Sequence, residues 1–385
     1  MFFRVNQSSI MAWLIFMAFT LPGTQGWSET SNDASQMDLA ASSLLLDIAA
    51  AGDTLVAVGE RGHILYSTDI GNTWIQAKVP TTAMLTRVFF SSSMQGWAVG
   101  HDGHVLVTND GGKHWQLQRD GVSAQRQLNT EKVDKSKNRV DRLRLDLQRT
   151  TDSENEPDDL STLDEAQYQL DEAMLIANEP VFPPPLMDVW FTNKQQGWVS
   201  GAYGTLLYTA NGGRQWQDWS HTLDDPDQLH LNGVVAWDDG TVLLASEWGT
   251  IFRSSNAGQS WTSISSGYEG SFFGLLRSHS TDNVFAYGLR GTVYRSSDRG
   301  LSWSQLESAV VESLFGGYAS QDGRLLFVGA GGAVTQSMDE GNSFRPALQR
   351  LRDGAYGIAP LPDGRFMLTG EGGSRLLLDA RGASQ

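Results

Sequence analysis

Chemistry in this chain of 385 residues would have to come from carboxylates and guanidiniums set inside apolar runs. Asp47, Arg87 and Asp188 each sit inside a short apolar segment (Leu-Asp-Ile, Thr-Arg-Val and Met-Asp-Val). If the fold brings these segments to one mouth, Asp47 or Asp188 could act as an acid or base while Arg87 holds an anion. The alternative is structural, with Arg87 pairing with both aspartates to satisfy charge where strands converge. We expect the second. A guanidinium lowers a neighbouring carboxyl pKa by roughly 1–3 units, which is wrong for a general acid. Around the same mouth, turns would present Arg61, Glu247, Trp248 and Arg290 as candidate binding residues, with Glu60, His101, Asp102, Tyr203 and Glu371 beside them. Asp47, Asp188 and Glu247 could also face one another as a two-carboxylate glycosidase pair, needing about 5 Å or about 6.5–9.5 Å between carboxyls.

Other chemistries are excluded or weak. The chain contains no cysteine, so thiolate nucleophiles, thiolate metal sites, disulfides and lipid attachment through cysteine are absent. Among the seven histidines, His101 and His104 lack a third ligand at metal spacing, and they read as turn residues. No metal and no cofactor is expected. A formal charge of −16 argues against nucleic acid as a partner.

Residues 1–26 read as a cleaved secretory leader: Arg4, an apolar run from Ile10 to Leu21, Pro22, then small or polar residues to Gly26. Twelve apolar residues fall short of the roughly 20 that span a bilayer. Loss of Arg4 with the leader takes the net charge from −16 to −17. The expected location is periplasmic or secreted, peripheral to a membrane at most.

The elements that must position the charged residues come from self-similarity. The pattern Ser/Thr-x-Asp/Asn-x-Gly-x-x-Trp/Phe occurs six times, with its acid or amide at Asp69, Asp110, Asn211, Asn256, Asp298 and Asp339. Each copy follows an apolar strand ending in a glycine turn, as in VAVGERGHILYS and WAVGHDGHVLVT. A seventh strand pair starts at Met367 without a full turn. Four strands per unit and a period of about 40–45 residues indicate an all-β, seven-bladed β-propeller over residues 27–385. We expect the last unit to lack its outer strand and Ser31 to Ser42 to fill that place.

One insertion, residues 120–182, separates the second and third units. Val133, Ser136, Val140, Leu143 and Leu147 step by three and four, as do Leu160, Leu163, Gln167, Leu170, Met174 and Ala177. An antiparallel helical hairpin fits this spacing better than a disordered acidic loop. Ser161 to Asp164 resembles a capping box, and Pro180 with Pro183 to Pro185 would end the second helix. Arg126 to Arg149 carries eight basic and four acidic residues, and Asp152 to Glu179 ten acidic and none basic. The two arms should therefore set opposite charges against each other.

The repeated turn resembles the Asp-box, or BNR repeat. That repeat occurs in sialidases, glucan-cleaving glycosidases, sortilin-type receptors and assembly factors. Sialidases need an Arg-Ile-Pro motif that is absent here, and Phe344-Arg345-Pro346 overlaps the sixth turn. With its regular seven-unit period and Gly-Trp-Ala-Val-Gly second strand, the chain is similar to the photosystem II stability/assembly factor family. That resemblance implies a non-enzymatic, exported scaffold assisting assembly or stability of a membrane protein complex. Outside photosynthesis it implies an exported domain of a transporter as partner. A monomer is expected, and a glycoside hydrolase or carbohydrate-binding propeller is the alternative function.

Overall fold

The computed structural model describes residues 33–149, 156–347 and 351–377. The leader over residues 1–26 lies outside them. Seven antiparallel sheets follow one another along the chain, each with its strands in sequence order. The innermost strands are Leu45–Ala51, Leu85–Phe90, Leu186–Phe191, Gly233–Ala236, Phe272–Arg277, Leu314–Ala319 and Ala355–Pro360. Each touches the next, and the last returns to the first, so the sheets close as seven blades around a channel. Between blades the core is aromatic and aliphatic. Trp97 of blade 2 stacks on Phe191 of blade 3 at 3.5 Å between ring centres, with both side chains buried.

All six boxed turns share one hydrogen-bond scheme. In the first, Gly71 N–H donates to Ser67 Oγ (2.8 Å), and Ser67 Oγ–H donates to Asp69 Oδ1 (2.8 Å). Thr73 donates to the same carboxylate from its N–H (2.9 Å) and its hydroxyl (2.6 Å). These donors hold the Asp69 carboxyl down at about 2. The residue after the acid or amide is left-handed in every copy, as at Ile70 (φ 55°) and Ala257 (φ 59°).

The expected closure of the ring needs correction. Residues 33–43 add no strand to blade 7, which has only Ala355–Pro360, Phe366–Gly370 and Gly373–Leu377 among the described residues. Instead they strap the outer edge of blade 1. Ala34 N–H donates to Val79 O (2.9 Å), and Met37 N–H to Gln76 Oε1 (2.9 Å). The strap then closes a 3-10 turn, Ala40–Ser42, in an Ala/Ser-rich stretch of low strand propensity. That turn lies against Gly373 of blade 7.

The insertion does form two helices, α1 (Gly121–Arg149) and α2 (Glu156–Asn178). α2 ends at Asn178, before Pro180 as expected, but its start differs from expectation. Asp120 caps α1 by accepting Val122 N–H (3.0 Å) and Ser123 N–H (3.4 Å). Ser161 lies inside α2, because the helix already begins at Glu156 with Pro157 in its first turn, where proline is tolerated. The contact stripe keeps Val133, Val140, Leu143, Leu163 and Leu170 from the expected set and adds Ala166. Val140, Ala166 and Leu170 are buried with Val133, Leu143 and Leu163 against them, while Leu160 and Met174 are exposed. Across the hairpin, Arg139 donates to Gln169 Oε1 (2.9 Å) and Arg144 to Gln167 Oε1 (2.8 Å). Among the described residues these two bonds reach amides, Gln169 and Gln167.

Candidate functional site: channel and turn ring

The inner strands share a backbone device. In six of the seven blades the pairing with the second strand skips one position near its start, as between Leu85↔Gly100 and Arg87↔Val99. Such a bulge re-aims side chains. The bulged residues include Leu46, Met187, Phe273, Phe315 and Tyr356, which line a mouth of about 310 Å³ with Arg87 at its floor. The next position along gives Asp47, Arg87 and Asp188 in blades 1–3 and Gly233, Gly274, Gly316 and Gly357 in blades 4–7. At this position one wall of the channel carries charged side chains and the other carries glycines.

The structure therefore brings Asp47, Arg87 and Asp188 together. They line a cavity of about 170 Å³. Arg87 Nη1 lies 3.6 Å from Asp47 Oδ1, and Arg87 Nε lies 3.0 Å from Asp188 Oδ1 but is not aligned for a hydrogen bond. Each aspartate also latches neighbouring blades. Val88 N–H donates to Asp47 Oδ2 (2.9 Å) and Val234 N–H to Asp188 Oδ2 (2.9 Å). From blade 5 the Tyr287 phenol reaches Arg87 across the channel. A Cβ at Gly274 would lie 2.4 Å from the Tyr287 hydroxyl, so glycine there opens the path of the phenol.

Two carboxylates share one guanidinium, which leaves a buried surplus of negative charge. Contrary to the sequence expectation, Arg87 does not hold the carboxyls down. Burial outweighs it, pushing Asp47 up to about 6 and raising Asp188 as well. Asp188 is held by the shorter ion-pair contact and two backbone donors. The Arg87 guanidinium is raised further above its usual range, through Asp188 and Asp47 acting against burial.

The other candidates stand apart from the channel. Glu247 does not face Asp47 or Asp188. Its Oε2 accepts His230 N–H (3.0 Å) and lies 2.9 Å from His230 Nδ1, whose ring meets Tyr203 at 4.9 Å. Burial raises Glu247, and the His230 bonds outweigh it and hold the carboxyl below its usual value. Arg61, Trp248 and Arg290 occupy equivalent turns between second and third strands, as do Asp102 and Tyr203. All five are left-handed, with φ between 55° and 59°. Each inner strand begins beside these turns, as Leu45↔Gly59 precedes Glu60–Gly62. The turn ring and the aromatic mouth therefore share one face. The hairpin rises from that face too, since Gly121 and Pro183 both lie against the Gly103 turn. His104 meets Thr81 Oγ1 (2.9 Å), a packing role for one of the two paired histidines.

Tyr287, His230 and the aromatic mouth escaped the sequence reading. Aligning the seven inner strands at their third position (D, R, D, G, G, G, G) exposes the channel wall and the bulged residues before it. Nothing in the sequence marks the reach of Tyr287.

A family model described as photosynthesis system II assembly factor YCF48 matches residues 27–116, 66–139 and 181–352, more than half of the chain. The chain belongs to that family. A curated relative, the photosystem II assembly lipoprotein Ycf48 of Synechococcus sp. (strain CC9902), is 26% identical over 95 residues. That match spans 25% of this chain and only 28% of the relative. Among solved structures, YCF48 bound to D1 peptide superposes with a TM-score of 0.59 at 13% identity, covering 89% of this chain and 95% of that one. YCF48 from Cyanidioschyzon merolae gives 0.58 at 14%, covering 91% and 99%. The WD40 propeller domain of Doa1 gives 0.56 at 11%, covering 90% and 95%. At these identities the likeness is one of fold. Family membership and fold agree with the resemblance read from the repeats.

Proposed function

We propose that this propeller is an exported, non-enzymatic scaffold that docks a segment of a membrane protein complex on its hairpin-bearing face. One observation carries the reading. Arg61, Asp102, Tyr203, Trp248 and Arg290 are held in left-handed turns where blade 6 uses Gly331 (φ 58°). Such strain costs on the order of 1 kcal/mol or more per non-glycine residue and collects at functional positions. Tyr203 and Trp248 remain 60% and 69% exposed, and Tyr, Trp and Arg are the types that dominate binding interfaces. Support comes from family membership, from the relative that is a photosystem II assembly lipoprotein, and from the solved relative, YCF48 bound to D1 peptide. Acting outside photosynthesis, the chain would take an exported transporter domain as its partner. Residues 1–26 would direct it to the periplasm or outside the cell.

The test is capture of partners from solubilised membranes with wild type and with Tyr203→Gly/Trp248→Gly. Glycine relieves the turn strain, so the variant should melt no lower than wild type yet retain less than about a tenth of the captured protein, as expected when interface anchors are lost. Undiminished capture overturns the proposal.

The second reading, a glycosidase, is favoured by Asp47 titrating near 6, within reach of a general acid. Against it, Asp47 Oδ2 and both oxygens of Asp188 already accept backbone N–H groups or face Arg87. Aryl glycosides and sialosides assayed with wild type and Asp188→Asn decide between the readings. Turnover that disappears in the variant would make this an enzyme.

A further inference from the structure

We infer that the channel cavity is a binding site for a small organic cation, an alkylammonium or guanidinium group, which Asp47 and Asp188 hold beside aromatic rings. The site is independent of the docking reading, whose anchors stand on the exposed turns and not in the channel.

Charge sets the sign of the ligand. Asp47 and Asp188 are each less than a tenth exposed and share the one guanidinium of Arg87. The remaining group that faces them is the Tyr287 phenol, which burial keeps protonated. With both carboxylates ionised, the site therefore carries one surplus negative charge. Arg87 also serves its two partners unequally. Its Nε lies 3.0 Å from Asp188 Oδ1, while its Nη1 stops 3.6 Å from Asp47 Oδ1, beyond hydrogen-bond length. The backbone donor to Asp47, Val88 N–H, goes to the other oxygen, Oδ2 (2.9 Å). Asp47 Oδ1 is thus a buried carboxylate oxygen with room for a further donor, and a buried charge is costly until it is paired. A bound cation leaves two positive groups facing two negative ones.

Size and walls narrow the class. The cavity measures about 170 Å³, and an apolar cavity of about 150 Å³ takes benzene, so a ligand of about six non-hydrogen atoms fits. Phe89 and Trp190 stand two residues after Arg87 and Asp188, on the same strand faces and one step further from the hairpin-bearing face. Both line the cavity, with ring centres 5.3 Å apart. Aromatic faces attract ammonium and guanidinium groups, and the attraction grows when water is excluded. Both rings are only half-buried, so this end is the way in. An anion would meet two carboxylates here, and a neutral solute would leave the surplus charge unpaired.

The experiment is an equilibrium titration followed by ligand-detected NMR, with n-propylammonium and its uncharged analogue n-propanol as probes. At pH 7.5 propylammonium should bind with a Kd in the millimolar range or below, and propanol should not bind. Asp47 titrates near 6, so at pH 5 only about a tenth of it is ionised and the affinity should fall about tenfold. Asp47→Asn should bind at pH 7.5 as weakly as wild type does at pH 5. Phe89→Leu, which keeps an apolar side chain of similar size, should weaken binding several-fold and serves if Asp47→Asn does not fold. N-acetyl-lysinamide, whose backbone must stay outside the cavity, separates a free amine from the lysine of another protein, and binding of either amine supports the site. No binding of either amine, equal affinity at the two pH values, equal binding of propanol, or undiminished affinity in a folded variant overturns the inference.

Discussion

Asp47 is a charged group placed where its charge is least welcome, and its energetics run opposite to those of the acids in the boxed turns. In the unfolded chain it titrates near 3.8, while burial raises it to about 6 in the propeller. Between those values the native state binds a proton that the unfolded state does not. Stability from this site is therefore fully present below about pH 4 and is lost as pH rises through 6. The difference amounts to about 3 kcal/mol. Asp188 shifts in the same direction. We expect Asp47→Asn, which keeps an acceptor for Val88 N–H, to melt higher than wild type at pH 7.5 and to match it near pH 4. Melting curves with an identical pH slope for both proteins would refute this. Arg87→Met should behave conversely, costing about 3–5 kcal/mol at pH 7.5 by stranding two buried carboxylates. Its deficit should shrink at pH 5, where they can take up protons. The charged triplet was legible in the sequence from its position in three similar strands. The sign of the carboxyl shift was not, because it depends on how completely the closed ring removes water.

Elements were legible wherever they repeat or where their periodicity is long. Six boxed turns gave the blades, and three-and-four spacing gave both helices, but the capping box at Ser161 was overridden by a helix that starts earlier. Glu247 was misplaced because a turn residue's direction is set by its neighbours, here His230 and Tyr203. Two predictions belong at this scale. Ala257 is left-handed in the fourth boxed turn, and the one methyl that glycine would remove packs against the blade 4 core. Ala257→Gly should raise the melting temperature by about 2 °C, the equivalent of roughly 1 kcal/mol in a protein of this size. A lower melting temperature would mean that packing outweighs backbone strain there. Deleting Gln125 to Asn178 should leave the propeller's melting transition unchanged, because the flanking residues Gly121 and Pro183 already meet at the Gly103 turn. A short bridge then closes the gap at little entropic cost. Loss of a single cooperative transition in the deletion would count against that.

For the whole molecule, the question is what fastens a ring whose first and last blades are joined by no loop. The sequence suggested a strand exchanged between termini. The structure has a strap in its place: backbone and side-chain bonds to blade 1 at Val79 and Gln76, buried Ala40, and a 3-10 turn pressed on blade 7 at Gly373. Gly373 has φ +82°, and a Cβ there would lie 1.9 Å from Ala41 O. Removing residues 33–42 should lower the melting temperature by several degrees, since it releases these bonds and uncovers the seam between blades 1 and 7. Gly373→Ala should destabilise the intact chain through both backbone strain and collision with the strap. In the strapless chain only the backbone strain remains, so the same substitution should cost measurably less. That non-additivity, read as a double-mutant cycle on thermal or denaturant unfolding, isolates the contact between strap and blade 7. Equal costs in the two backgrounds would show that the strap does not fasten the ring.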